Sequence, residues 1–215
     1  MKGTSRIMCL LAMGALGCGG DLGEDAPEFA HAWATGVVSF APGEGAGYGG
    51  GAIEASVLGA PTGRGVMSGS LDVLSLGVGG EIVLEFDEAI EDGPGVDLIV
   101  FENAFWAQGD PGRVFEELGE VAVSEDGESW SVFSCAPERA EAGPSWPGCA
   151  GWSPTLEHKL ARGHALDWEE IGGDGFDLAV VGLERARFVR VRDLSAEGLA
   201  PTAGFDLDAV GAVRR

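Results

Sequence analysis

The side chains in this 215-residue sequence best suited to chemistry are carboxylates that recur inside glycine-rich blocks. Asp97, Glu102 and Asn103 flank one apolar run, Asp174 and Asp177 lie in GGDGFDL, and Asp206 and Asp208 lie in FDLDAV. Oxygen-only donors of this kind suit a hard cation, above all calcium, which takes six to eight oxygens and accepts loop carbonyls among them. These seven are the candidate ligands of a structural Ca2+, although their spacing is not that of an EF-hand loop. They also have a plainer use, because Asp and Asn cap turns and hold strand ends in register. Asp206 and Asp208, two apart on an expected strand, should project from one face.

Aromatic residues supply the second set. Trp106, Trp146, Trp152, Trp168 and Tyr48 fall in or near expected loops. Flat rings there either stack on sugars or plug the ends of a core. Trp106, directly after FENAF, and Trp146 are the pair expected to be exposed and ligand-binding. Catalytic signatures are missing: there is no GxSxG elbow, HExxH or P-loop, and His158 and His164 are six apart, off the spacing of one helical face. Two carboxylates can in principle hydrolyse a glycoside, but among 35 acidic residues some pair meets the distance requirement by chance. The expectation is a non-catalytic protein with no catalytic residues.

The elements that must position these groups read as strands. In residues 76–105, Ile82, Leu84 and Phe86 alternate with Glu81, Val83 and Glu85, the period of a strand with one buried face. Residues 98–101 are apolar throughout, as in a strand covered on both faces. Asp92-Gly93-Pro94-Gly95 between them is turn chemistry, so the segment reads as an acidic antiparallel hairpin of the core. Further strands are expected at 37–40, 71–76, 120–124, 130–133, 178–182, 187–192 and 207–213. Many short strands with regular turns indicate an all-β sandwich or barrel with little helix. Residues 155–168 have some helical character, and 114–118 make at most one turn. The loop GEGAGYGGG at 43–51 has no following lysine or helix and is not a phosphate cradle.

Residues 1–17 carry Lys2 and Arg6 before a short apolar run, the layout of a secretory signal and too short to span a bilayer. Ala15-Leu16-Gly17-Cys18 resembles the bacterial lipobox, which implies lipidation of Cys18. Gly19, rather than aspartate, follows it and favours the outer membrane or cell surface within the envelope. Residues 18–30 then form a polar, glycine-rich tether, and 31–215 one sandwich domain. With Cys9 in the leader and Cys18 lipidated, Cys135 and Cys149 remain. In an oxidising compartment they read as a disulfide, and closing a loop of about 15 residues contributes roughly 3 kcal/mol. A two-cysteine metal site would lack CxxC spacing and neighbouring histidines. The net charge of −22, more negative still without Lys2 and Arg6, excludes nucleic acid and anionic lipid surfaces as partners. The membrane is reached through the lipid alone.

The pattern VSEDGESW at 123–130, followed downstream by FVRVRD at 188–193, resembles discoidin-like, galactose-binding-like jelly-roll domains. With VLGAP, LGVGG, VFENAF, GGDGFDL and FDLDAV in order, the chain is similar to bacterial secreted and lipid-anchored "cell surface" proteins over residues 37–213. The resemblance implies an antiparallel jelly-roll sandwich and a non-catalytic role. It also implies a carbohydrate or cell-surface polymer as ligand, with calcium holding the loops. Adhesion through other surface proteins is the competing role, and a glycan-active hydrolase a third. In this reading Trp130, after the Asp-Gly turn, closes the core.

Overall fold

The computed structural model describes residues 33–137, 145–156 and 171–213. The leader, Cys18, the tether, His158, His164, Trp168 and most of the helical stretch at 155–168 lie outside the described residues. Within them the chain is an antiparallel β-sandwich. The larger sheet runs β1 (Gly36–Ala41), β3 (Glu81–Glu91), β11 (Arg185–Asp193), β7 (Gly119–Ser124) and β8 (Ser131–Val132), with β9 (Cys149–Ala150) also paired to β7. The smaller runs β10 (Asp174–Phe176), β4 (Leu98–Glu102), β12 (Asp206–Ala212) and β2 (Leu74–Ser75). A separate ribbon pairs β5 (Phe105–Trp106) with β6 (Val114–Phe115). The helix α1 is five residues long, Ile53–Val57.

Strand alternation builds the core. Ile82, Leu84 and Phe86 of β3, Val189 and Val191 of β11 and Val121 and Val123 of β7 face Leu98, Val100, Leu207 and Val210 of the smaller sheet in one buried cluster. The arginines of β11 alternate outward, as their spacing predicts. Ile99, Phe101 and Ala209 point the other way and pack with Trp33 and Ile171 in a second cluster. The smaller sheet is thus covered on both faces, and for that reason β4 is apolar from Leu98 to Phe101. Each fully buried Leu, Ile or Phe contributes about 1.5–3 kcal/mol relative to exposure.

The two runs expected to form a hairpin lie in different sheets. β3 pairs with β1 and β11, whereas β4 pairs with β10 and β12. A strand that needs cover on both faces takes a central place in the smaller sheet, so the turn at 92–97 crosses between layers. Asp97, fully buried, holds that crossing by accepting from the backbone N–H groups of Gly93 (2.9 Å) and Leu178 (2.8 Å). Three further elements differ from expectation. Residues 178–182 form a 3-10 turn at Leu178–Val181, because Asp177 accepts from the Ala179 N–H and Gly182 ends the turn at φ 72. Residues 114–118 begin with β6 instead of a helical turn. Trp130 lies under the Arg190 guanidinium, 4.8 Å from its centroid, and does not close the core.

The Ser-x-Asp-Gly turn after β7 forms as expected. Asp126 Oδ1 accepts from the N–H groups of Glu128 and Ser129 and from Ser124 Oγ, and Ser124 Oγ accepts from the Gly127 N–H. Cys135 and Cys149 are joined, with Cα atoms 4.5 Å apart, so the chain after β8 is tied to β9.

Candidate functional site

At one end of the sandwich, four carboxylates converge where apolar cover runs out. Glu102 ends β4, and alternation puts it on the same inner face as Leu98 and Val100. It is 1 % exposed, and neither Oε1 nor Oε2 has a hydrogen-bond partner. Asp174 opens β10, where its backbone sits opposite Val100. Its Oδ2 accepts from the N–H groups of Gly151 (2.7 Å) and Trp152 (3.1 Å), while its buried Oδ1 has no partner. Asp206, at the start of β12, accepts from Ser75 Oγ and from Asn103 Nδ2 (3.0 Å). Glu117, just before β7, completes the group.

The electrostatics follow from burial without a countercharge. Desolvation, then the negative charges of Asp206 and Glu117 and lastly that of Asp174, push the Glu102 carboxyl well above the usual carboxylate range. The Asn103 backbone N–H partly offsets this but makes no hydrogen bond of normal geometry to either oxygen. Desolvation first, then Asp206 and Asp193, raises Glu117 to about 8. Burial raises Asp174 to about 7 against the opposing backbone N–H groups of Trp152, Gly151 and Ser153. Burial also raises Asp206 to about 6, against the bonds from Ser75 and Asn103. The ion pairs among the described residues, Arg185–Glu125 and Arg190–Glu81, involve none of these groups. A buried polar atom left without a partner costs about 1–3 kcal/mol, and three orphaned oxygens in one place are a large local cost.

Asp206, Glu117 and Asn103 also line a cleft of about 290 Å³. Phe105 and Phe115 form another part of its lining, stacked across the β5–β6 ribbon with ring centroids 5.0 Å apart and planes 16° from parallel. Tyr48 adds a third ring, fixed by its hydroxyl donating to the Leu71 carbonyl at 2.6 Å. The cleft lining therefore combines aromatic rings with carboxylate and amide side chains.

Four of the seven predicted metal ligands, Glu102, Asn103, Asp174 and Asp206, meet in this region. The other three serve the backbone elsewhere. Asp97 and Asp177 act as described above, and Asp208 accepts from the Thr62 N–H through both oxygens, at 2.9 and 3.0 Å. A register shift between Leu207 and Ala209 interrupts β12, and Asp206 and Asp208 bond different neighbours. Asp92, Asp97 and Asp177 do place one oxygen each within 4.8 Å of the others. Of the two tryptophans expected to bind ligand, Trp146 is 5 % exposed and packs on Trp152 at 6.3 Å. Its carbonyl accepts from the Cys149 N–H at 3.0 Å, and Cys149 is fixed by β9 and by the bridge to Cys135. Trp106 is half-buried in β5, its backbone N–H donating to the Val66 carbonyl, and does not line the cleft. Phe105, Phe115 and Glu117 were not foreseen. The only available signal was the pairing of FENAF with VFEEL as a short ribbon, and two-residue strands are too short to show a period.

No protein-family model and no curated protein matches the chain. Among solved structures, one named as a glycoside hydrolase aligns with 66 % of this chain and 22 % of its own, at 11 % identity and a TM-score of 0.31. This chain thus spans about a fifth of that structure's length, and a likeness so slight assigns it no chemistry.

Proposed function

We propose that the chain is a carbohydrate-binding β-sandwich module of the cell envelope, held there by lipid on Cys18, and that the sugar sits in the cleft beside the β5–β6 ribbon. The observation that carries this reading is the lining itself. Stacked Phe105 and Phe115 with Tyr48 offer aromatic surface, and Asn103, Glu117 and Asp206 offer hydrogen-bonding groups at the same place. A sugar ring has an apolar face for stacking and hydroxyls for carboxylates and amides, which is the combination the cleft provides. Phe115 is 45 % exposed, as a ring waiting for a ligand should be. A glycan-array screen followed by calorimetry tests the reading. Phe115→Ala should weaken the best glycan at least tenfold with the fold unchanged by circular dichroism, while Val132→Ala, an equally exposed apolar residue outside the cleft lining, should not. Equal affinity in both variants would remove the cleft from consideration. Loss of membrane association in Cys18→Ala, measured by fractionation, tests the anchor.

One observation favours a second reading, glycoside hydrolysis. Glu117, held protonated at neutral pH, and Asp206, with its lower value, are two carboxyls pushed apart in one cleft, as an acid–base pair requires. Turnover of an array-positive glycan that disappears in both Glu117→Gln and Asp206→Asn would replace the binding reading with this one.

A further inference from the structure

We infer that Glu102 and Asp174 are ligands of one divalent hard cation, calcium in class, bound at the inner end of the sandwich with Glu117 and Asp206 beside it. The proposal stands on oxygens that have nothing else to do. Glu102 Oε1 and Oε2 and Asp174 Oδ1 are buried and unpartnered, on side chains 1 % and 4 % exposed. Protonation would remove the charge of Glu102 but would still leave an oxygen that accepts no hydrogen bond of normal geometry. A cation satisfies all three oxygens at once and turns mutual repulsion into shared attraction.

The donor set selects the class of ion. Every polar group named is an oxygen, with no imidazole or thiolate, which points to calcium or magnesium instead of zinc or copper. Glu102 offers two oxygens to one ion, a mode common for calcium and poorly matched to the strict octahedron of magnesium. Glu117 and Asp206 line the cleft and also act on Glu102 through their charge, so the buried carboxylates lie close to the cleft. Among the described residues it is Asp92, Asp97 and Asp177 that place one oxygen each within 4.8 Å of the others. That tighter trio is the weaker candidate: backbone N–H groups already occupy both oxygens of Asp97 and one of Asp177.

The inference does not depend on the sugar reading, and its test uses no sugar. The purified chain, stripped with chelator, is titrated with CaCl2 and followed by thermal unfolding and calorimetry. Expected are one site per chain, a rise of several degrees in Tm, and reversal by chelator. Asp92→Asn should respond as the parent does, whereas Glu102→Gln and Asp174→Asn should lose the response. Terbium provides a readout on the unmutated chain: Trp152, whose backbone N–H donates to Asp174, is near enough to sensitise Tb3+ emission that calcium displaces. No Tm shift and no sensitised emission in the parent overturns the proposal. So does a Glu102→Gln variant that answers calcium like the parent, or a response lost in Asp92→Asn alone.

Discussion

At the residue scale, an acid's environment decides whether it holds backbone or awaits a ligand. Asp126 shows the first case. The N–H groups of Ser129 and Glu128 and the Ser124 hydroxyl hold its carboxyl down to about 2. A folded-state value below the unfolded one gives stability that is present above the usual Asp range and is lost as pH falls through about 2. Asp126→Asn should therefore lower Tm at pH 7, with the gap to the parent closing toward pH 2. A gap independent of pH would mean that the charge is not what the turn uses. Glu102 is the opposite case, raised by burial and like charge with no donor on either oxygen. Glu102→Gln should then leave the chelated protein no less stable than the parent, since it removes a carboxyl that burial and like charge disfavour and that accepts no hydrogen bond of normal geometry. Urea midpoints compared in EDTA check this, and a large loss would show that the carboxylate has a protein partner after all.

At the element scale, strands with a clear period were legible in the sequence, and the layer they join was not. Alternation in residues 81–86 and 187–192 gave β3 and β11 with the correct inward residues, and the unbroken apolar run at 98–101 correctly implied cover on both faces. The turn between β3 and β4 carries the same glycine and proline whether it closes a hairpin or crosses between sheets. What decides is Asp97 bonding to Leu178, eighty-one residues away, which no local pattern shows. For the same reason the acidic blocks pointed to Glu102, Asp174 and Asp206 but could not separate them from Asp97, Asp177 and Asp208. The two-sided burial of β4 has a measurable consequence. Phe101, fully buried against Trp33 at 5.8 Å, belongs to the outer cluster, away from the space between the sheets. Phe101→Ala should still cost about 3–5 kcal/mol by urea unfolding, the range for a core phenylalanine. A cost under 1 kcal/mol would make the outer cluster a loose cover instead of a second core. Reducing the Cys135–Cys149 bridge, which spans a separation of 14, should cost roughly 3 kcal/mol in the chain-entropy account.

At the scale of the whole molecule, charge is the dominant quantity. Thirty-five acidic against thirteen basic residues give −22, and the two ion pairs found among the described residues neutralise little of it. Self-repulsion of this size opposes the compact state, and salt screens it, because the Debye length falls from about 30 Å at 0.01 M to about 3 Å at 1 M. In EDTA, Tm should therefore climb steadily as NaCl is raised from about 0.01 to 1 M, with no saturation at low concentration. This bulk effect separates from the buried site by its form. Screening acts on every exposed carboxylate and survives Glu102→Gln, whereas a bound cation saturates at one per chain and does not. If NaCl leaves Tm flat while calcium still raises it in the parent, the acidic surface is neutral for stability and the electrostatic strain of this fold is concentrated at Glu102 and Asp174. If NaCl reproduces the full calcium effect in the parent, the strain is spread over the surface and the buried carboxylates contribute no separate share.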